Sequence, residues 1–242
     1  NGGVAYVFRF LYPVTNSAIT ITRSTLVGAV SGRGISFHDS VADSPITFTD
    51  VTADVTHVAL YALEATRSPV VFDNVRATIG VHAVAFTRDV LDSPLTVMHS
   101  TFAGSSAVLY YQQAVAGSPL AVSDSSITTS NAAAVAVVQF TAAVAASPVT
   151  LTRTTFEAKL GTGAGIECMG SVTDSPITVT KATIAANGYG FLYAAGRATR
   201  SGLTLVDSVV QTVHDASKFN WFELANPTDS DVVIDNTHLA HT

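Results

Sequence analysis

The sequence predicts an all-β fold, a right-handed parallel β-helix of about nine coils with three short strands in each. Three observations point to it. A phrase, most often Ser-Pro-aliphatic-Thr-aliphatic, returns nine times at intervals of about 24 to 29 residues, beginning at Ser17, Ser44, Ser68, Ser93, Ser118, Ser147, Ser175, Ser201 and Ser230. Within each copy, apolar residues alternate with water-tolerant ones, which is the period of a strand with one buried face. The density of Thr, Val and Ile favours a pleated surface over a helix, because branched side chains fit there. A unit of this size cannot bury its own apolar face, so the copies must stack as a solenoid. The right hand follows by analogy with large-coil β-helices and not from any residue.

The elements follow in order from each Ser. Two and four residues on stand apolar pairs, from Ile19 and Ile21 through Ile46 and Phe48 to Val232 and Ile234, and these form the first strand. The Pro that follows most of the serines has no N–H for a sheet, so it belongs at the first residue of that strand. Six residues on, the row reads Arg23, Asp50, Asn74, His99, Asp124, Arg153, Lys181, Asp207 and Asn236, predicting a solvent-facing corner. Nine on, Leu26, Ala53, Ala77, Phe102, Ile127 and Phe156 mark a second strand.

Counting back from the next Ser recovers the third strand, with Phe8, Ile35, Ala59, Val84, Leu109 and Val138 nine before it. Seven before it stand Phe10, Phe37, Tyr61, Phe86, Tyr111 and Phe140, a row of rings expected to stack inside the coil. Cys168, Ala194 and Glu223 at the end of the second row depart from this pattern, which predicts a register shift in the last two coils, while Trp221 closes the first row. Valine or alanine three before the Ser closes the lining. Length variation falls to loops such as 158–165 and 213–220.

Composition agrees with a core shared by every coil. The chain is 48% hydrophobic and 12% charged, with mean hydropathy +0.37, yet no apolar run approaches the roughly 18 residues that would span a bilayer. One unbroken repeat predicts a single β-helix segment over residues 1–242. Because it opens in the back half of a coil and stops in the front half of another, the expectation is a segment cut from a longer repeat protein at both ends. Cut strands expose unpaired edges, so end-to-end self-association is expected as well. Net charge is −6 with three lysines and no basic stripe, which argues against nucleic acid as a partner. The single cysteine, Cys168, falls in the ring row and is expected to be a buried, inert thiol.

The recurring SPLTV and SPITVT phrases, separated by strands rich in Ala, Val, Ser and Gly, resemble the repeats of the dispersed gene family surface proteins of trypanosomatid parasites, over nearly the whole chain. The resemblance implies a pectin-lyase-like β-helix in a long secreted or membrane-anchored protein, with an adhesive or host-interacting role. It carries over no catalytic motif. The Cys-rich and membrane-spanning parts of such proteins are absent from these 242 residues.

Because this fold often acts on polysaccharides, a lyase or hydrolase is the alternative. The Asn-Thr-Asp, Asp-Asp, Gly-His-Gly and Arg-Ile-Lys strings of galacturonan hydrolases do not occur. The nearest lyase-like constellation, an Arg beside acids that could hold calcium, is Asp50, Asp73, Asn74 and Arg76 with His99 one coil on. The alternating signs of that row also describe a ladder of solvated ion pairs. His57 and His82, with Arg33 below them, share a row that lacks a third metal ligand, so a surface pair is expected and no metal. Thr-x-Thr repeats such as Thr20/Thr22 and Thr150/Thr152 resemble an ice-binding ladder, but Asp73, Met98 and Val206 break it. Tyr110, Tyr193 and Phe222, eight before the Ser, are read as outward rings able to stack on sugars or meet a partner protein. The expectation is therefore a non-catalytic extracellular or cell-surface domain, without cofactor, that presents a face to host glycans or cell-surface proteins. A rigid spacer is the third reading.

Overall fold

A computed structural model describes residues 6–28, 32–55, 58–130, 136–158, 163–193, 197–212, 222–224 and 226–241. All regular structure among them is β. Strands pair in parallel with their equivalents one coil away and gather into a 15-stranded and a 16-stranded sheet. The protein is a parallel β-helix. In the turn after Ser68 the chain runs through Val70–Asp73, Arg76–Ile79, His82–Phe86 and the two-residue strand Val90–Leu91. The turns that begin at Ser68, Ser93, Ser118, Ser147 and Ser175 each have four strands rather than three, because the lining row around Val90 is itself paired to its neighbours, whereas in the turn after Ser44 the strands run together as Ile46–Val55 and Val58–Thr66. The first and second strands of each turn build the larger sheet, the third and fourth the smaller.

The nine serines enclose eight complete turns, not nine, since nine markers bound eight intervals. Each interval is spanned by a hydrogen bond. The Ser17 N–H donates to Ser44 Oγ at 3.1 Å, Ser44 to Ser68 at 3.1 Å, Ser68 to Ser93 and Ser93 to Ser118 at 2.9 Å, and the series continues to Ser201 and Ser230. Each hydroxyl in turn donates to the carbonyl two residues back, as Ser93 Oγ does to Leu91 at 2.8 Å. The serines of the interior turns are almost wholly buried. A serine satisfies two backbone groups where the chain turns inward and no strand ladder can reach them. A shorter second ladder runs through Val75, Ser100 and Ser125.

Two rows of left-handed backbone flank these ladders. Asp50, Asn74, His99, Asp124, Arg153 and Lys181 have φ between 49° and 55°, and the residue before each Ser is left-handed too, with φ between 46° and 59°, from Asn16 and Asp43 to Gly117 and Ala146. Asn, Asp and Gly tolerate this conformation; other residues hold it at a cost of about 1–2 kcal/mol. The polar row read from sequence as a solvent-facing corner is thus also a conformational requirement. Ala146, exposed with φ 47°, has neither the freedom of Gly117 nor a polar side chain to bond locally. Ala146→Gly is expected to raise stability by about 0.5–1 kcal/mol in denaturant unfolding. No gain would show that the corner is not strained there.

The core is the set of inward rows. Ile46, Phe48, Val70, Phe72, Leu95 and Val97 are buried in the first strands. Phe48 stacks on Phe72 at 4.6 Å, and Phe72 meets Phe102 edge-on at 5.4 Å. Rings of the third strand stack too, Phe10 on Phe37 at 4.7 Å, Phe86 on Tyr111 at 5.3 Å and Tyr111 on Phe140 at 4.7 Å.

Tyr61 is not in that stack. Phe37 pairs with Ala62, while Tyr61 pairs with Ser36 on the outward row. The turn between Ser44 and Ser68 is 24 residues long, and His38 and Asp39 together oppose Leu63 in a bulge, so counting back from Ser68 lands one residue early. The expected shift in the last coils is present: Ile166 pairs with Phe191 and Phe191 with Phe222, while Cys168 pairs with Tyr193. Trp221, Ala194 and the loop at 213–220 lie outside the described residues.

Candidate binding face

The acid corner resolves into separate pairs. Asn74 donates from Nδ2 to Asp50 at 2.6 Å, and His99 donates from Nδ1 to Asp73 at 2.9 Å. Asp50, Asn74 and His99 all have left-handed backbone. Arg76 opens the next strand, in register with Thr52 and Thr101. Further along the same row Arg153 grips Asp124 with two bonds of 2.6 and 2.7 Å. On the row before the serines, Arg67 holds Asp43 and Arg200 holds Asp174 in the same forked way. The guanidinium in each fork keeps its aspartate below the usual carboxylate range, chiefly through hydrogen bonding, with desolvation opposing the shift and charge adding a smaller part. Such exposed pairs order the turns. Among the described residues no three His, Cys, Asp or Glu side chains group as metal ligands.

The other singled-out residues separate as well. The register sets Val58, not His57, between Arg33 and His82, and His57 lies outside the described residues. The threonine ladder is interrupted where Thr49 meets Asp73, and Asp73 meets Met98. Cys168 is buried, and burial reinforced by the charge of Glu167 pushes its thiol up to about 12, as expected of an inert cysteine. Tyr193 pairs with Cys168 and Phe222 with Phe191, rows whose earlier members are buried, so neither continues the row of Tyr110. The one-residue shift that moves them is the reason.

The outward row of the third strands instead reads Arg9, Ser36, Tyr61, Ala85, Tyr110, Gln139 and Glu167. Tyr61 and Tyr110 are half-buried and stand two rungs apart, roughly 10 Å at about 4.8 Å per rung. Between and beside them are the small, buried Ala85 and Ser36. Each ring is braced from one side. The Arg33 guanidinium lies 3.9 Å from the centre of the Tyr61 ring, and the His82 imidazole stacks on Tyr110 at 4.7 Å with planes 10° apart. His82 is itself anchored through Nδ1 at the Ala107 carbonyl. Further along the row comes a buried pair in which the Gln139 amide donates to Glu167 at 2.8 Å, before the register continues to Leu192 and Glu223. Burial raises the Glu167 carboxyl above its ordinary value, and the Gln139 bond partly offsets it.

Sequence counting put Tyr61 in the ring row and left His38 off this face because of the one-residue slip and the bulge, while Arg33 was counted in the row of His82, as the register has it. The available signal was the one-turn spacing that sets Tyr6 beside Arg33 and Arg9 beside Ser36. No protein-family model matches this chain, and neither a curated protein nor a solved structure is significantly similar to it.

Proposed function

We propose that this chain is a non-catalytic β-helix segment acting outside the cell or at its surface, which presents the outward face of its third strands for adhesion to host carbohydrate. The observation that carries the proposal is the pair Tyr61 and Tyr110, two braced rings on one row separated by a small residue. Their spacing is close to the length of a disaccharide, and a ring held in place stacks on a sugar with little loss of side-chain freedom. The likeness of the recurring phrase to the dispersed gene family repeats supports the same reading. The acids that a lyase would need are occupied in pairwise turn contacts.

The test is retention on immobilised neutral and acidic polysaccharides, together with release of unsaturated or reducing ends from pectate with and without calcium. Retention that falls about tenfold in Tyr110→Ala, with no turnover, is the expected result. Turnover that disappears in Asp50→Ala or Asp73→Ala would overturn it in favour of a lyase.

A further inference from the structure

Four buried side-chain atoms among the described residues have no hydrogen-bond partner, and three of them belong to one cluster: Arg33 Nε, Ser36 Oγ and His38 Nε2. Ser36 is fully buried although it occupies an outward row, between Arg9 on one rung and Tyr61 on the next. Tyr6 and Tyr61 frame the group. The Arg9 guanidinium lies 4.6 Å from the Tyr6 ring centre, and Arg33 lies 3.9 Å from that of Tyr61. The His38 ring meets Tyr6 edge-on at 5.4 Å and Tyr61 at 6.4 Å.

A buried polar atom without a partner normally costs stability, so three together at one place call for a ligand that supplies acceptors. The charges specify its sign. Arg67, Arg153 and Arg200 each fork onto an aspartate, whereas the contacts of Arg9 and Arg33 are with aromatic rings. Two guanidinium groups without carboxylates, a buried hydroxyl and an imidazole form an oxyanion-binding constellation, because N–H and O–H donors charge-assisted by Arg are what sulfate and carboxylate oxygens accept.

We infer that Arg33, Ser36 and His38, with Arg9 at the rim, form a subsite for a sulfate or carboxylate group carried by an acidic polysaccharide. The position of His38 in the bulge makes it part of the subsite, since the extra residue turns the imidazole toward Tyr6 and Tyr61. Gly34 is the close-packed residue between Arg33 and the rest: a Cβ there would lie 2.5 Å from the Ala59 carbonyl oxygen. The subsite rests on the reading of this face as a carbohydrate surface, but it can be tested apart from it.

The imidazole reports occupancy. Burial and the charges of Arg9 and Arg33 hold the His38 pKa below its ordinary value. The remaining groups near it are the phenols of Tyr6 and Tyr61 and the carboxylates of Asp39, which accepts the Ser40 N–H, and of Glu64, in register with Ser40. An anion beside the two arginines reverses the sign of the local field, so occupancy raises the His38 pKa.

The experiment is a titration of the 242-residue chain with inorganic sulfate, followed by imidazole NMR, then with a sulfated oligosaccharide and its desulfated counterpart. Saturable binding of sulfate with an upward His38 pKa, weakened at least about tenfold in Arg33→Gln and in Ser36→Val but not in Arg76→Gln, is the expected result. Thermal melts of each variant separate lost binding from lost folding, and Arg33→Lys, which keeps the charge, provides a second folded test with partial retention expected. A stronger response to the sulfated sugar than to inorganic sulfate identifies the polysaccharide as the source. No saturable response to either, or a response unchanged in Arg33→Gln and Ser36→Val, overturns the subsite. Loss of retention in Tyr110→Ala with sulfate binding intact leaves it standing.

Discussion

Phe72→Ala is expected to cost about 3–5 kcal/mol of folding stability. The ring is buried, stacked on Phe48 at 4.6 Å in the turn before and edge-on to Phe102 at 5.4 Å. Two effects place the cost toward the top of that range. The strands on either side fix the rung spacing, so neighbouring side chains cannot collapse into the space as they could between mobile helices. A small apolar void of about 10 Å³, lined by Phe72, Phe48 and Phe102 among others, already lies beside the ring and would merge with the new cavity. It has no polar lining to hold water, so the enlarged space stays dry. Denaturant unfolding is the measurement, and a loss below about 2 kcal/mol would mean that the coil relaxes more freely than its register implies.

Ser93→Ala is the second large effect. The Ser68 N–H has Ser93 Oγ as its partner at 2.9 Å, in a buried position. Removing the hydroxyl orphans that N–H at a cost of about 1–3 kcal/mol. The Leu91 carbonyl loses its bond from Ser93 but keeps the one donated by the Arg67 N–H at 2.9 Å, so the donor side sets the cost. Ser17→Ala supplies the contrast. Ser17 is exposed, and its hydroxyl bonds only the Thr15 carbonyl at 2.9 Å, so the same chemical change there is expected to fall within about 0.5 kcal/mol of neutral. Equal losses at the two positions would show that the serine is required for its turn conformation and not for the ladder.

The period of the phrase made the inner rows readable because each copy is colinear from the Ser through the second strand, and a residue two or four places on must face inward in every turn. Ile46, Val70 and Leu95 are paired as that counting requires. Reading failed where length varies. Between the third strand and the next Ser the interval loses one residue in the turn that holds Tyr61, and a slip of one exchanges the two faces of a strand. That exchange moved Tyr61 out of the core and set Tyr193 and Phe222 alongside Cys168 and Phe191. The left-handed corners were hidden for another reason: Arg23, His99, Ala146 and Lys181 rarely adopt that backbone, so the rows read as polar or unremarkable. The oxyanion cluster was harder still, since Arg9 and Ser36 share one counted row but Arg33 lies in another and His38 sits in a bulge that no count of the repeat anticipates.

In this account the recurring serine phrase is scaffold, and the contact chemistry is left to the outward face of the third strands. Native-state amide exchange tests that division at its root. The amide protons of Ser44, Ser68, Ser93, Ser118, Ser147 and Ser175 are expected to be strongly protected in the unmodified chain, with Ser68 losing most of its protection in Ser93→Ala while the serines two turns away keep theirs. Serine amides that exchange as fast as those of an unstructured peptide would contradict the ladder, and with it the assignment of the phrase to folding rather than to function.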